Sequence, residues 1–150
     1  MKHVSCLFIL LVAFAVCGCS SEAWDEMPDR AQKFVSQYFP GVEASSTAVG
    51  ADGQYTVALR NSVTIVFTEL GVWLSVDGNG TTLPDNLLFN ELPMALYSYL
   101  QEMEVTADGV YTLRRDDTSY QVGLFNSSVV YDIGSGRIYY PSAEQDQSAR

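Results

Sequence analysis

Two stretches of this chain say the same thing 65 residues apart. Glu26-Met27-Pro28 returns as Glu91-Leu92-Pro93, and each triplet opens a segment with helical spacing. Tyr55, Val57, Leu59, Asn61, Ser62 and Gly71 then match Tyr120, Val122, Leu124, Asn126, Ser127 and Gly136 without a gap. A period of this length, with a helix and strands inside one unit, predicts two copies of one supersecondary block. The expected class is α+β, a tandem repeat of a helix plus a four-stranded antiparallel meander.

In the first copy, Pro28 suits a first helical turn, where its missing N–H costs nothing. Ala31, Phe34, Val35 and Tyr38 follow at i, i+3, i+4 and i+7, and Pro40-Gly41 stops the helix. Short β-rich runs come next, near 42–49, 54–60, 63–68 and 72–77, broken at Asp52-Gly53, Asn61-Ser62 and Leu70-Gly71. Tyr55, Val57 and Leu59 alternate with Thr56, Ala58 and Arg60, as in a strand with one buried face. The second copy is expected to hold helices near 85–90 and 93–103. Leu92, Leu96, Tyr99, Leu100 and Met103 line one face of the longer helix. Strands follow near 110–115, 119–125, 128–133 and 137–140, with turns at Asp108-Gly109, Asp116-Asp117 and Ser135-Gly136. The gapless register fails once, because Phe67 matches Tyr131 only after a one-residue slip in the hairpin. Two cores are expected, one around Phe34, Tyr55, Leu59 and Phe67, the other around Leu96, Tyr99, Tyr120 and Leu124.

The N-terminus reads as an export signal. Lys2 and His3 precede an unbroken apolar run from Leu7 to Val16, too short to span a bilayer. Val16-Cys17-Gly18-Cys19 resembles a lipobox, with Cys19 as the lipidated residue; Cys17 departs from the usual residue there. The alternative is plain secretion with cleavage nearby. Residues 1–19 are thus assigned to a lipoprotein signal peptide, 20–25 to a polar tether, 26–141 to one domain of two repeats (26–78 and 84–141), and 142–150 to a flexible tail. All three cysteines lie at or before Cys19, so the body that follows has no disulfide and depends on packing. Without Lys2 it carries seven basic residues against eighteen acidic ones, a net charge of −11. Such a body repels phosphate backbones, so no nucleic-acid partner is expected, and contact with the membrane is expected through the lipid anchor alone.

Catalysis has little to work with. The only histidine, His3, lies in the signal, so the body lacks a Ser–His or Cys–His nucleophile system and the usual zinc ligands. No enzyme activity, catalytic residue, metal or cofactor is expected. Asp116-Asp117 reads as a hairpin turn, and Asp77-Gly78-Asn79-Gly80 lacks the remaining ligands of a calcium loop. Arg30 and Lys33 lie on the polar face of the first helix. Arg60 and Phe125 are equivalent in the two copies and leave their strands on the face away from the helices, where Arg and aromatic side chains serve protein recognition. Trp73 is ambiguous, since Val72, Leu74 and Val76 point it outward while Ile138 and Tyr140 in the second copy point it inward. Arg60, Phe125 and Trp73 are the candidate protein-binding residues; the alternative is that they pack at an edge or beneath a loop.

The segment Ala31 to Gly41, ending Tyr38-Phe39-Pro40-Gly41, is similar to the opening helix of the PepSY-like domains of Gram-negative envelope proteins. In that family the helix is followed by Tyr-x-Val-x-Leu, then Phe, Gly and Trp, which here are Tyr55-Thr56-Val57-Ala58-Leu59, Phe67, Gly71 and Trp73. The second copy lacks the Phe-Pro-Gly stop and has Ile138 in place of the tryptophan. The resemblance implies a β-lactamase-inhibitor-like fold and an envelope location. The inhibitor label is an analogy of fold and establishes no activity. The expected function is a lipid-anchored envelope protein that receives a protein or peptide on its antiparallel sheet. The alternative is a small-molecule or cation-binding accessory protein with an acidic pocket between the repeats.

Overall fold

The computed structural model describes residues 20–104 and 109–140, so Cys19, the signal and the expected tail at 142–150 lie outside the described residues. Helices α1 (Ser20–Asp25) and α2 (Asp29–Tyr38) precede strands β1 (Ala44–Val49), β2 (Tyr55–Leu59), β3 (Thr64–Phe67) and β4 (Trp73–Asp77). Helices α3 (Asp85–Glu91) and α4 (Met94–Glu102) precede β5 (Val110–Arg115), β6 (Ser119–Leu124), β7 (Ser128–Asp132) and β8 (Ile138–Tyr139). All eight strands form one antiparallel sheet in chain order.

Local signals account for most boundaries. Pro28, Pro84 and Pro93 stand immediately before α2, α3 and α4. The stripe of Ala31, Phe34, Val35 and Tyr38 is buried in full. Gly41 (φ 73°) and Gly71 (φ 76°) turn the chain through the left-handed region. At Gly71 a side chain would also press on Pro28 and the Ala31 backbone, so glycine lets the β3–β4 turn close against the start of α2. The hairpin slip has a simple origin. Leu59 N–H bonds the Val63 carbonyl around three loop residues, whereas Leu124 N–H bonds the Ser127 carbonyl around two. Phe67 and Tyr131 consequently both stand opposite a tyrosine, Tyr55 and Tyr120 respectively.

One core replaces the two expected. β4 pairs with β5, Val76 opposite Leu113, so the sheet runs unbroken from one half into the other. Thr47, Val57, Ile65, Val76, Leu113, Val122 and Val129 face one another strand by strand across its inner face. The six aliphatic members of this row have no exposed surface, and each contributes about 1.5–3 kcal/mol of burial. Side chains of α2, α3 and α4 join them in a single cluster. Phe34, Leu59, Phe67 and Leu96 are buried as expected, while Tyr55, Tyr99, Tyr120 and Leu124 are only half-buried against the cluster.

Two local expectations differ. Ser20–Asp25, expected as a tether, forms α1, and Trp24 packs on the core. In α4 the buried arc is Leu96, Tyr97 and Leu100, while Tyr99 and Met103 stay half-exposed. Tyr97 can be buried because its hydroxyl meets the Asp85 carboxylate at 3.1 Å, which satisfies its one polar atom.

Candidate functional site

Among the described residues, helices cover only one face of the sheet. On the other, Ala48, Thr56, Val66, Ser75, Arg114, Gln121, Val130 and Tyr139 form one continuous cross-strand row. Ser46, Ala58, Thr64, Asp77, Thr112, Gly123 and Ser128 form a second. No member of either row belongs to the hydrophobic core. Eight strands at about 4.8 Å spacing, each about five residues long, give this open face roughly 570 Å². That approaches the 800 Å² or so that one partner contributes to a standard protein interface.

Arg60 and Phe125 stand just past the ends of β2 and β6, where strand alternation continues this face. They sit two residues beyond Ala58 and Gly123, which share a row, so both are at the same end of the sheet. Phe125 is 78% exposed and leans on Tyr111, with ring centroids 6.0 Å apart. Arg60 makes a 3.1 Å ion pair with Glu43, and both side chains are largely in solvent. Three strands separate the two residues, a gap of about 19 Å, so they do not form one contiguous patch.

Trp73 does not belong to this surface. It is 3% exposed and faces the helices. The register between β3 and β4 shifts after Val66, which pairs with Ser75, so that Phe67 pairs with Trp73. Leu74 is thereby an extra residue, a β-bulge, and the bulge reverses the alternation that would have turned Trp73 outward. Its indole lies near Phe34 and Tyr120, with centroids 6.3 Å from each. The Arg115 guanidinium sits 4.6 Å from the ring centroid, and Arg115 Nε donates to the Trp73 carbonyl at 2.7 Å.

A polar hub stands beside Trp73. Glu91 Oε2 accepts from Trp73 Nε1 at 2.6 Å and Oε1 accepts from the Tyr38 hydroxyl at 2.7 Å. One carboxylate therefore ties α2 and β4 of the first half to the end of α3 in the second. Burial, then the hydrogen bond and charge of Glu91, push the Tyr38 phenol well above its ordinary range. The repeat marked Glu91 only as the partner of Glu26, and no local pattern marks a carboxylate that bonds residues 53 and 18 positions away.

Concavities among the described residues flank these elements. One, of about 600 Å³, lies among α1, the end of α2 and the start of β1, with Trp24, Val35, Phe39 and Val42 in its lining. A second, of about 460 Å³, separates α2 from Glu91 and carries Asp29, Arg30 and Lys33. A third, also about 460 Å³, opens on the uncovered sheet face across the β4–β5 seam, around Leu74, Ser75, Arg114 and Gln121. The only signal for Arg114 in the sequence is the Arg pair itself, since adjacent strand residues send one member to each face. The Asp77 loop is an ordinary turn: Asp77 Oδ1 accepts from Asn79 N–H at 2.7 Å, and Asn79 Nδ2 donates to the Ser62 carbonyl. Among the described residues no group of three or more His, Cys, Asp or Glu is placed to hold a metal ion.

No family model and no curated protein matches the chain. Solved structures do. A protein provisionally described as calcium-regulated and periplasmic, from Bacteroides thetaiotaomicron, is 24% identical with a TM-score of 0.66, covering 79% of this chain and 92% of that one. A periplasmic protein of the DUF2874 family from Bacteroides vulgatus is 21% identical with a TM-score of 0.65 and the same coverage. Another from Bacteroides vulgatus, of unknown function, is 18% identical with a TM-score of 0.63, covering 79% and 94%. At these identities the likeness shows a shared α+β fold and nothing further.

Proposed function

We propose that this chain is an exported, lipid-anchored envelope protein that binds a protein or peptide on the open face of its sheet. The observation that carries this reading is the uncovered face itself: eight strands wide, lined by small and polar side chains with scattered Arg, aliphatic and aromatic ones, and with the core on the opposite side. Export and anchoring rest on the apolar run before Cys19, and the periplasmic descriptions of the structural neighbours support the export. The tandem PepSY-like, β-lactamase-inhibitor-like repeat is part of the same proposal. In its favour, Val57 and its counterpart Val122 are both fully buried, and Gly71 and Gly136 both take positive φ. Cation binding in the cleft between the halves fits less well. Both oxygens of its half-buried carboxylate, Glu91, already accept hydrogen bonds, and Arg30 and Lys33 share the cleft.

A partner recovered from an envelope extract on the immobilised protein makes the reading testable. Arg60→Ala and Phe125→Ala are each expected to weaken that partner by about 1 kcal/mol or more. Neither is expected to shift thermal stability, since Phe125 is exposed and the Arg60–Glu43 pair is solvated. Unchanged affinity in both variants, measured by calorimetry, would remove these residues from the binding surface.

A further inference from the structure

Arg114 and Arg115 are adjacent in β5, so their side chains leave on opposite faces. Arg115 is committed to Trp73 on the inner side. Arg114 emerges on the open face, is exposed, and forms no ion pair among the described residues. Its cross-strand neighbours are uncharged hydrogen-bonding side chains, Ser75 on β4 and Gln121 on β6. The β4 bulge adds Leu74 to the same face, and Leu74 and Val66 supply the apolar part of the 460 Å³ concavity. Asp116 also lines it, but Asp116 Oδ1 is engaged by its own turn. It accepts from Thr118 N–H and Oγ1–H, both at 2.7 Å, and from Ser119 N–H at 2.8 Å. Those bonds, the Thr118 hydroxyl first, hold its carboxyl below the usual range. Arg115, which also borders the concavity, is turned to Trp73, so Arg114 is the cation this lining presents, beside an Asp116 already engaged by its own turn, in a chain whose net charge is −10.

We infer that this concavity receives an acidic side chain of an extended peptide: its carboxylate on Arg114, its backbone within reach of Ser75 and Gln121, and a neighbouring aliphatic side chain against Leu74 and Val66. The inference rests on the open-face reading and adds the ligand's chemistry to it. A planar guanidinium suits a carboxylate because two N–H groups meet two oxygens. The volume falls within the range of about 300–1,000 Å³ found for small-ligand sites. The seam position also makes both halves contribute, which a site on either half alone would not.

The test is an NMR titration of the protein with two capped peptides, acetyl-Val-Glu-Val-amide and acetyl-Val-Gln-Val-amide. The glutamate peptide is expected to shift the amides of Ser75, Arg114 and Gln121 and to bind about threefold tighter than the glutamine peptide, the scale of an exposed Arg–carboxylate pair. Arg114→Gln is expected to make the two peptides equal, while Arg30→Gln, on the helical side, leaves the preference intact. Equal affinity with shifts on the same three residues would overturn the acidic preference and leave the open-face reading standing. Shifts confined to the α2 side would overturn both.

Discussion

Truncating Trp73 to alanine is expected to destabilise the protein by about 3–5 kcal/mol, the usual cost of removing a buried aromatic side chain. The indole has 3% of its surface exposed, touches the rings of Phe34 and Tyr120, and carries a hydrogen bond to Glu91. A surface contact residue would behave differently, since substitutions away from packed features usually stay within about 0.5 kcal/mol. Urea unfolding separates the two cases. Trp73→Phe gives a further reading, because it keeps much of the packing and removes the N–H that Glu91 accepts. If Trp73→Ala unfolds at the parent's midpoint, the inward orientation set by the β4 bulge is wrong.

Glu91→Leu is the second large effect. It strands two donors, the Trp73 N–H and the Tyr38 hydroxyl, both on residues with less than a twentieth of their surface exposed. A buried polar group left unpaired costs about 1–3 kcal/mol, so a loss of about 2–6 kcal/mol is expected. Glu91→Gln should recover much of it, because the amide oxygen can accept from Trp73 while the amide N–H₂ donates to Tyr38. The same hub sets an alkaline limit. The Tyr38 phenol is raised above its ordinary 10.0 in the fold. The contribution of the neutral phenol is therefore complete below pH 10 and is lost as pH rises beyond it, when the unfolded chain releases the proton and the folded chain retains it. Equal unfolding midpoints for Glu91→Leu and the parent would show that the two donors have other partners.

Much of this fold is legible because its determinants are local. The α2 stripe is readable since Ala31, Phe34, Val35 and Tyr38 share a face by geometry alone, and β2 is readable from its alternation. What escapes is settled by partners distant in sequence. The bulge at Leu74 exists only relative to β3, so residues 72–76 by themselves cannot place Trp73. Whether two copies share a core depends on Val76 meeting Leu113, which strand alternation within either copy leaves open. Tyr97 displaces Tyr99 from the interior of α4 because Asp85, on another helix, supplies its hydrogen-bond acceptor. Of the candidate site, the open-face positions of Arg60 and Phe125 follow from the repeat and from alternation. Their separation follows from the strand order, and Arg114 gains meaning only once Ser75 and Gln121 are known to flank it.

The proposed function requires that the uncovered face, and not the helical side, meet the partner. The chain allows a direct measurement, because every native cysteine lies at or before Cys19 and a thiol introduced later is the only one in the folded body. Thr56→Cys and Gln121→Cys place a thiol on exposed positions of the open face, and Ser36→Cys places one on the exposed side of α2. Each is coupled to a bulky maleimide and assayed for retention of the captured partner. Labels at residues 56 and 121 are expected to abolish retention, and the label at residue 36 is expected to leave it unchanged. Retention with both open-face labels, and its loss with the label on α2, would contradict the open-face reading.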